Sequence, residues 1–460
     1  MSAHEVDLVV IGTGPGGEAL ANGAASAGLD VIVVEKHLVG GECPYYGCVP
    51  TKMMVRGSDA VAEVRRASQV AGEATVVPAW SVVARRVDED ATAGWDDTIA
   101  VKRLEKAGAT VHHGVARLVG TGRVVVETAE GETLEYATRR GVVINPGTRP
   151  AIPPIDGLED TPYWTNRDAV RTTELPGTLV VIGGGPVGCE LAQVFARFGV
   201  RVTVVQHGPR LVAVDEPEAS ELLEKVFVEE GIRVLTGVEL TRATYADGGF
   251  TLALDTGEEL TADKVLVAAG RVANLDDLGL ETVGLDPQAR TVEVDEWLRA
   301  GEKLWAIGDV TGHGAFTHVS MYQQAIALRD ILGQGGEPAR YHAVPHVTFT
   351  DPEVGCVGTS EQVARDAGLR IRTGSADLAG SARGFTHGPG GHGLIKVVED
   401  TDRGVLVGAT AVGAAGGEIL GFLAVAVHAA VPVTTLRSMI YAYPTFHRAI
   451  ETALEDLESS

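Results

Sequence analysis

Two stretches of the chain share one pattern of apolar and polar positions. Residues 8–11 and 179–182 are uninterrupted runs of valine, leucine and isoleucine, as in strands that are buried on both faces. Each run is followed by a glycine-rich turn, a stretch of helical length and a second apolar run that ends in a polar residue, Glu35 or Gln206. The pattern predicts two strand–helix–strand units.

The two units also carry the same glycine spacing, GxGxxG. In such a turn the first glycine shapes the bend, the second lets the backbone approach a pyrophosphate, and the third lets helix and strand pack closely. One GxGxxG is a weak signal, but here the whole strand–turn–helix–strand context occurs twice. We therefore predict two dinucleotide-binding units of the Rossmann type, with the glycines Gly12, Gly14 and Gly17 in the first and Gly183, Gly185 and Gly188 in the second.

The residue that ends the second strand of such a unit normally binds the adenosine ribose. Glu35 can accept hydrogen bonds from both ribose hydroxyls and would repel a 2′-phosphate, so the first site fits FAD or NAD rather than NADP. Gln206 is uncharged, and Arg201, His207 and Arg210 stand near it in the sequence. The second site therefore favours NADPH over NADH, although no clamp for a 2′-phosphate is evident.

Composition excludes several other classes of protein. The 460 residues are enough for about three domains. The formal net charge of −24 disfavours nucleic acid and anionic lipid as partners, and four cysteines are too few for a secreted disulfide scaffold. The N-terminus lacks the basic region of a signal peptide, and the apolar run 419–431 is shorter than the ~20 residues of a membrane span. We expect a cytoplasmic protein.

A pair of cysteines follows the first unit. Cys43 and Cys48 are separated by four residues, which places the sulfurs about one helical turn apart and permits a small-ring disulfide. The pair could also be two buried thiols or half of a zinc site, but no second cysteine cluster or paired histidine motif supplies further ligands. A redox-active disulfide is favoured, because Lys52 can stabilise a thiolate, and no resident metal is expected.

These residues resemble those of a known family. The block 40–52 resembles the redox-active segment of the FAD-dependent pyridine nucleotide-disulfide oxidoreductases, which include dihydrolipoamide dehydrogenase, glutathione reductase and mercuric reductase. Residues 144–157, 267–274, 304–309 and 344–358 resemble further motifs of the family in the same order. The resemblance implies an α/β fold with two Rossmann-like domains and a C-terminal α+β dimerisation domain. The expected boundaries are 1–149 (FAD, first part), 150–270 (NAD(P)), 271–340 (FAD, second part) and 341–460 (interface).

The resemblance also implies roles for individual residues. Cys48 would be the thiol next to the flavin, Cys43 the thiol that meets the substrate, and Lys52 and Glu190 an ion pair beside the flavin. Asp309 would hold the ribityl chain. The cofactor-binding set is completed by Gly41, Lys52, Gly114, Gly147 and Thr317 for FAD, and by Val238 and Gly270 for the nicotinamide nucleotide.

The C-terminal segment departs from the family pattern. Dihydrolipoamide dehydrogenase and glutathione reductase carry a histidine followed five residues later by a glutamate, an acid/base dyad that enters the active site from the partner subunit. Here the corresponding residues are Tyr443 and Arg448. A phenol has a reference pKa near 10 and is about 0.1% ionised at pH 7, so it is a poor base. His447 could replace the base if the segment is helical, although a solvent-facing histidine is the simpler expectation.

Three further features concern the tyrosines between the cysteines, the other two cysteines, and the likeness to mercuric reductase. Tyr45 and Tyr46 could line the substrate side of the disulfide or pack as local core. Cys189 and Cys356 have no cysteine partner at useful spacing, and we expect both to be small buried hydrophobic residues. Mercuric reductase also has a tyrosine near position 443, but its usual C-terminal cysteine pair is missing here, so mercury reduction is disfavoured.

The leading hypothesis is a homodimeric NAD(P)H oxidoreductase that passes electrons through FAD to the Cys43–Cys48 pair. The acceptor would be a disulfide, an activated sulfur species or a quinone-like molecule that needs little help from a general base. One alternative is a diaphorase-type reductase that works directly from the flavin. Another is a non-catalytic redox sensor or complex subunit. The homodimer is expected from the family and from the apolar faces of residues 419–431.

Overall fold

The structure is a computed structural model and describes residues 3–458. The chain packs into two compact units, which are described separately. The first unit comprises Met1–Pro50, Arg86–Pro150 and Arg271–Tyr341. The second comprises Thr51–Arg85, Ala151–Gly270 and His342–Ser460.

The strands, in chain order, are β1 (His4–Ile11), β2 (Val31–Glu35), β3 (Thr110–Gly120), β4 (Arg123–Thr128), β5 (Thr133–Ile144), β6 (Thr148–Pro150), β7 (Thr178–Ile182), β8 (Arg201–Gln206), β9 (Arg233–Thr236), β10 (Leu240–Ala246), β11 (Gly249–Leu254), β12 (Glu259–Ala262), β13 (Lys264–Val267), β14 (Arg271–Ala273), β15 (Arg299–Gly301), β16 (Leu304–Ala306), β17 (Pro345–Thr348), β18 (Glu353–Gly358), β19 (Ile371–Asp377), β20 (Leu394–Asp400) and β21 (Val405–Gly413).

The α-helices are α1 (Pro15–Ser26), α2 (Glu42–Tyr45), α3 (Cys48–Arg66), α4 (Trp80–Arg85), α5 (Thr98–Ala107), α6 (Asn166–Arg171), α7 (Pro186–Arg197), α8 (Pro217–Glu229), α9 (Thr317–Leu332), α10 (Glu361–Asp366), α11 (Ala382–His387), α12 (Gly416–His428), α13 (Val433–Arg437) and α14 (Ala449–Asp456). Short 3₁₀ helices span Ala67–Gln69, Leu280–Val283, Gly308–Thr311 and Phe446–Arg448, and a π-helix spans Arg86–Ala91.

The first unit is built on a seven-stranded sheet in the order β1-β2-β3-β4-β5-β16-β15, with an additional β1–β5 pairing. Strands β2 and β5 flank β1 and run parallel to it. One apolar cluster joins Leu8 and Val10 to the buried face of α1, and a second lies on the other side of the sheet around Val9 and Ile11. Alternate residues of β1 thus enter two cores, as the unbroken apolar run predicts.

The second unit contains three sheets. Strands β13, β7, β8 and β9 form a parallel sheet of the predicted Rossmann type, and β10–β12 form a small antiparallel sheet. The C-terminal part is a five-stranded antiparallel sheet in the order β17-β18-β21-β20-β19, whose core includes residues of α12 and α14. The predicted fold class, two Rossmann-like units and a C-terminal α+β domain, is confirmed. Among the described residues, no helix has the length and apolar content required to cross a membrane.

Candidate functional site

The first glycine turn is packed on two of its three glycines and open at the third. A Cβ on Gly12 would lie 2.2 Å from the main-chain oxygen of Asn145, and one on Gly17 would lie 2.2 Å from the oxygen of Gly12. At Gly14 the nearest atom, the side-chain nitrogen of Asn145, is 3.4 Å away, an ordinary contact. The turn therefore excludes side chains where the backbone packs and leaves room at the glycine expected to face a pyrophosphate.

The second turn repeats this geometry. A Cβ on Gly183 would lie 2.3 Å from the oxygen of Ala268, and one on Gly188 would lie 2.0 Å from the oxygen of Gly183. Around Gly185 no atom lies within 4 Å of the Cβ position. The residues of both turns thus fit a bound dinucleotide.

The two ribose-binding candidates are held in the same way. Glu35 is buried, and its Oε2 accepts hydrogen bonds from the backbone nitrogen (2.9 Å) and hydroxyl (2.7 Å) of Thr13, the residue after the first glycine. Gln206 Oε1 accepts a hydrogen bond of 2.7 Å from the nitrogen of Gly184, at the equivalent position of the second turn. Each side chain is oriented by its own glycine turn and keeps further hydrogen-bonding capacity for a ligand.

Two of the three basic side chains expected near Gln206, Arg210 and His207, already have partners. Arg210 donates to the main-chain oxygens of Ala213 and Asp215, at 2.7 and 2.9 Å. His207 Nδ1 lies 2.9 Å from the carboxylate of Glu239. These contacts reduce the support for a 2′-phosphate at this site, and the preference for NADPH stays a prediction.

The remaining cofactor candidates of the first unit lie at the carboxyl ends of its strands or beside the first turn. Asp309 accepts a hydrogen bond of 2.7 Å from the Thr148 hydroxyl, which itself accepts one of 2.6 Å from Arg271. A Cβ on Gly41 would lie 2.9 Å from the Cα of Gly14, so Gly41 packs directly on the glycine turn. Gly147 has a φ of +67° and open space at its Cβ position.

Of three further candidates, Gly114 lies within β3, and Val238 and Gly270 lie in loops. Gly114 pairs with Thr128 across β3 and β4, where a Cβ would lie 2.3 Å from the oxygen of Glu127. Val238 donates its backbone N–H to the oxygen of Gln206 at 3.3 Å and thus lies beside the second ribose candidate. Gly270 has a φ of +109° and no atom within 4 Å of its Cβ position. Their cofactor contacts stay predictions.

The cysteine pair lies on two consecutive helices. Cys43 is half-buried on α2, and Cys48 is exposed as the first residue of α3. The Cys48 sulfur is 3.3 Å from the hydroxyl of Thr317, the first residue of α9. A hydroxyl and the positive ends of two helices therefore surround this sulfur, an environment that favours a thiolate.

The two tyrosines between the cysteines pack as local core. Tyr45 and Tyr46 are buried, and Tyr46 stacks on Trp95 with a centroid distance of 5.7 Å and an interplanar angle of 22°. Burial, with a contribution from Asp97, raises the pKa of Tyr45 to about 12. Of the two alternatives left open by the sequence, the structure supports packing.

Lys52 and Glu190 are brought together as expected. The ammonium of Lys52 donates to Oε2 of Glu190 and lies 4.6 Å from the ring centre of Phe349. The other carboxylate oxygen, Oε1, accepts a hydrogen bond of 2.8 Å from the backbone nitrogen of Phe349. The Glu190 side chain is only 6% exposed, whereas Lys52 keeps 35% of its surface accessible. The protein therefore fixes the carboxylate of Glu190, whereas the ammonium of Lys52 is accessible to solvent.

Tyr443 and His447 do not form a common site. Tyr443 is 70% exposed, and the guanidinium of Arg448 lies 5.5 Å from the centre of its ring. His447 lies in the 3₁₀ turn Phe446–Arg448, is half-buried, and contacts the ring of Tyr441 at a centroid distance of 6.4 Å. Because Tyr443 precedes this turn, the two side chains do not share a helical face. A cation rather than a carboxylate accompanies Tyr443.

Sequence reasoning missed an ionic cluster that joins α3, α7 and the segment before β18. Arg197 is 2% exposed and contacts Asp59 at 2.7 Å, Glu230 at 2.6 Å and Asp351 at 2.7 Å. Burial raises the pKa of Asp59 to about 6, whereas Arg197 and Arg66 lower the pKa of Asp351 in spite of burial. Arg197, Glu230 and Asp351 line a cavity of about 540 Å³. Its members are 33 to 154 residues from Arg197 in the sequence, so no local motif indicates them.

Comparison with known proteins agrees with this architecture. Residues 6–326 match the model of the pyridine nucleotide-disulphide oxidoreductases, and residues 344–454 match that of their dimerisation domain. The chain is 31% identical to dihydrolipoyl dehydrogenase of Zymomonas mobilis, over 98% of both chains. It is 33% identical to mercuric reductase of Streptomyces lividans, over 100% of this chain and 98% of the relative.

Solved structures show the same fold. LpdA from Mycobacterium tuberculosis superimposes with a TM-score of 0.87 at 28% identity, covering 98% of this chain and 100% of that chain. The HOCl-induced flavoprotein disulfide reductase RclA from Escherichia coli, in its Cu(II) complex, superimposes with a TM-score of 0.86 at 24% identity, covering 98% and 99%. The chain is therefore an enzyme that uses FAD and NAD(P)H, and it belongs to the pyridine nucleotide-disulphide oxidoreductase family.

Proposed function

We propose that this oxidoreductase delivers electrons through the Cys43–Cys48 pair to an electrophilic acceptor that needs no general base. The observation that carries the proposal is a retained cysteine pair combined with Tyr443 and Arg448, where dihydrolipoamide dehydrogenase and glutathione reductase carry a histidine and a glutamate. Tyr443 can donate a hydrogen bond, and the neighbouring guanidinium covers its ring. A guanidinium has no acceptor atom, and neither residue type is the histidine that most often serves as a general base.

FAD, when bound, supplies the two-electron link between NAD(P)H and the cysteine disulfide. The residues proposed to hold it are the first glycine turn, Glu35, Asp309 and Thr317. The second turn and Gln206 are proposed to hold the nicotinamide nucleotide. Glu190 would keep the Lys52 ammonium in a fixed position at the site.

Thiol–disulfide exchange at this pair would need no general base. With a disulfide acceptor, the Cys43 thiolate attacks one acceptor sulfur, forms a mixed disulfide and releases the first thiolate. Cys48 then attacks the Cys43 sulfur, releases the second thiolate and re-forms the Cys43–Cys48 disulfide, while NAD(P)H supplies the two electrons for the next turnover. A leaving group of low pKa departs without protonation. Activated sulfur species and disulfides of acidic thiols are therefore the preferred acceptors.

The proposal extends to assembly and location. The match of residues 344–454 to a dimerisation domain supports a homodimer in which the C-terminal segment of one subunit completes the site of its partner. Light scattering should give twice the mass of 48.0 kDa, and a monomer would contradict this part of the proposal. The boundaries at 149, 270 and 340 and the cytoplasmic location stay predictions.

Restoring the missing dyad tests the proposal. The double variant Tyr443→His, Arg448→Glu should reduce an ordinary disulfide such as lipoamide at least about 100-fold faster than the parent, because acid/base catalysis contributes about 10²–10⁴. Its rate with a nitrobenzoate disulfide, whose thiol leaves without protonation, should change little. His447→Gln serves as the control and should affect neither rate. If the parent already reduces both disulfides equally fast, a base is present and the proposal is wrong.

A further inference from the structure

Three side chains of different chemistry converge on one face of the C-terminal sheet. His346 on β17 lies directly opposite Cys356 on β18 in the strand register. Asp215, two residues ahead of α8, accepts a hydrogen bond of 2.7 Å from Nε2 of His346 on its Oδ1. One ligand atom from each of the three residues lies within 4.8 Å of the others. A carboxylate oxygen, an imidazole nitrogen and a thiol sulfur thus surround one point.

The carboxylate of Asp215 is incompletely satisfied. Its side chain is 1% exposed, and in the part of the chain that the structure describes its Oδ2 has no hydrogen-bond partner. A buried polar atom without a partner costs about 1–3 kcal/mol, and more when it is charged. A cation at this point would remove that cost.

The cationic side chains nearby are directed elsewhere. Lys396, two strands from Cys356, contacts Glu216 at 3.0 Å, Glu218 at 2.7 Å and Glu361 at 2.8 Å. Arg210 donates to the main-chain oxygen of Asp215 rather than to its carboxylate. Neither side chain gives its positive charge to the Asp215 carboxylate, which can therefore bind a further cation.

We propose that Asp215, His346 and Cys356 bind a divalent ion of borderline softness, with Zn²⁺ as the best match. Zinc accepts oxygen, nitrogen and sulfur ligands and is usually tetrahedral, so three protein ligands leave a fourth position for water. A carboxylate and a thiolate neutralise the two charges of the ion, which suits a buried site. The His346 side chain is 22% exposed and gives the ion a path from solvent.

Binding would displace a proton from the thiol. The Cys356 sulfur lies 3.4 Å from the hydroxyl of Thr410. Zinc ligation requires the thiolate, and the ion must therefore compete with that proton. The ion would tie the segment before α8 to strands β17 and β18, a stabilising role separate from the chemistry of Cys43 and Cys48.

Metal titration of the FAD-loaded enzyme tests the site. The oxidised enzyme is used so that Cys43 and Cys48 are held in their disulfide, metal is removed with a chelator, and Zn²⁺ is added in competition with a chromophoric chelator. The parent should bind one equivalent per chain, and Co²⁺ in its place should give a thiolate-to-metal charge-transfer band. Bound Zn²⁺ should also raise the melting temperature.

Single-residue variants show whether Zn²⁺ binds at Asp215, His346 and Cys356. Cys356→Ser should weaken Zn²⁺ binding by at least about 100-fold and abolish the Co²⁺ band, since even changes outside the ligand set cost about 10- to 100-fold. Cys189→Ser, at another buried cysteine outside the cluster, should retain both signals. Asp215→Asn, checked for retained flavin and circular dichroism, should weaken binding as well. If the parent binds no equivalent, or if Cys356→Ser binds like the parent, the three residues form only a hydrogen-bonded network and the proposal is overturned.

Discussion

Replacement of Glu190 by glutamine removes the charge that holds Lys52. Glutamine can still accept the hydrogen bond from the Phe349 nitrogen, so the substitution isolates the ionic contact. Breaking a fully buried pair costs about 3–5 kcal/mol, whereas a surface pair contributes about 0–1 kcal/mol. Glu190 is buried, but Lys52 is about one-third exposed. We therefore expect a loss of about 1–2 kcal/mol of stability.

The assay is a double-mutant cycle with Lys52→Met, read by thermal unfolding and by stopped-flow flavin reduction. The coupling between Lys52 and Glu190 should be about 1 kcal/mol. The loss of a fixed ammonium should slow flavin reduction by about tenfold, the factor that corresponds to 1.4 kcal/mol. Glu229→Gln, which removes only an exposed pair with Lys225 at 4.0 Å, is the control and should change neither quantity. A coupling energy of zero would show that Lys52 and Glu190 act independently and that the ionic contact stabilises nothing.

Other predictions address stability and cofactor binding. The pKa of Asp59 is about 6 in the fold against 3.8 as a reference, so its contribution to stability is present below pH ~4 and is lost as pH rises through 6. The pKa difference corresponds to about 3 kcal/mol of stability without solvent screening. Because the Asp59 side chain is 36% exposed, we expect a contribution of about 1 kcal/mol. Asp59→Asn should therefore raise the melting temperature at pH 8 but not at pH 4. An equal shift at both pH values would disprove the assignment. Arg197→Met should lower stability by about 2–3 kcal/mol in chemical denaturation, less than the ~3–5 kcal/mol of a fully buried pair, because Glu230 and Asp351 lose a buried cation but are partly exposed and keep Arg66. Gly185→Val should raise the KM for NAD(P)H and leave the melting temperature unchanged. Gly188→Ala should lower the melting temperature, since its Cβ would lie 2.0 Å from a backbone oxygen. Unchanged nucleotide kinetics in Gly185→Val would exclude Gly185 from the nucleotide site.

The duplicated units could be predicted in detail because their signals are local. An unbroken apolar run, three glycines at fixed spacing and a polar strand end are all contained in about 30 residues, and the structure places Glu35 and Gln206 on equivalent backbone amides. The pairing of Lys52 with Glu190 came from family resemblance, since 138 residues separate the two. No pattern in the sequence alone could have joined them.

The features that the sequence did not predict depend on contacts between distant segments of the chain. Cys356 was expected to be a small buried hydrophobic residue, and it is buried, but its register opposite His346 and its proximity to Asp215 arise only when the sheet forms and α8 packs on it. The carboxylates around Arg197 likewise come from separate segments of the chain. The stacking of Tyr46 on Trp95, 49 residues later, decided between two alternatives that composition left equal.

The acceptor turnover of Cys43→Ser shows whether electrons leave the enzyme through the cysteine pair. The measurement compares NAD(P)H oxidation by the parent and the variant with a nitrobenzoate disulfide and with a quinone, under anaerobic conditions. We expect the variant to keep its flavin and its reduction by NAD(P)H but to lose at least about 100-fold in turnover with the disulfide. Full turnover by Cys43→Ser with that acceptor would show instead that electrons pass directly from the flavin.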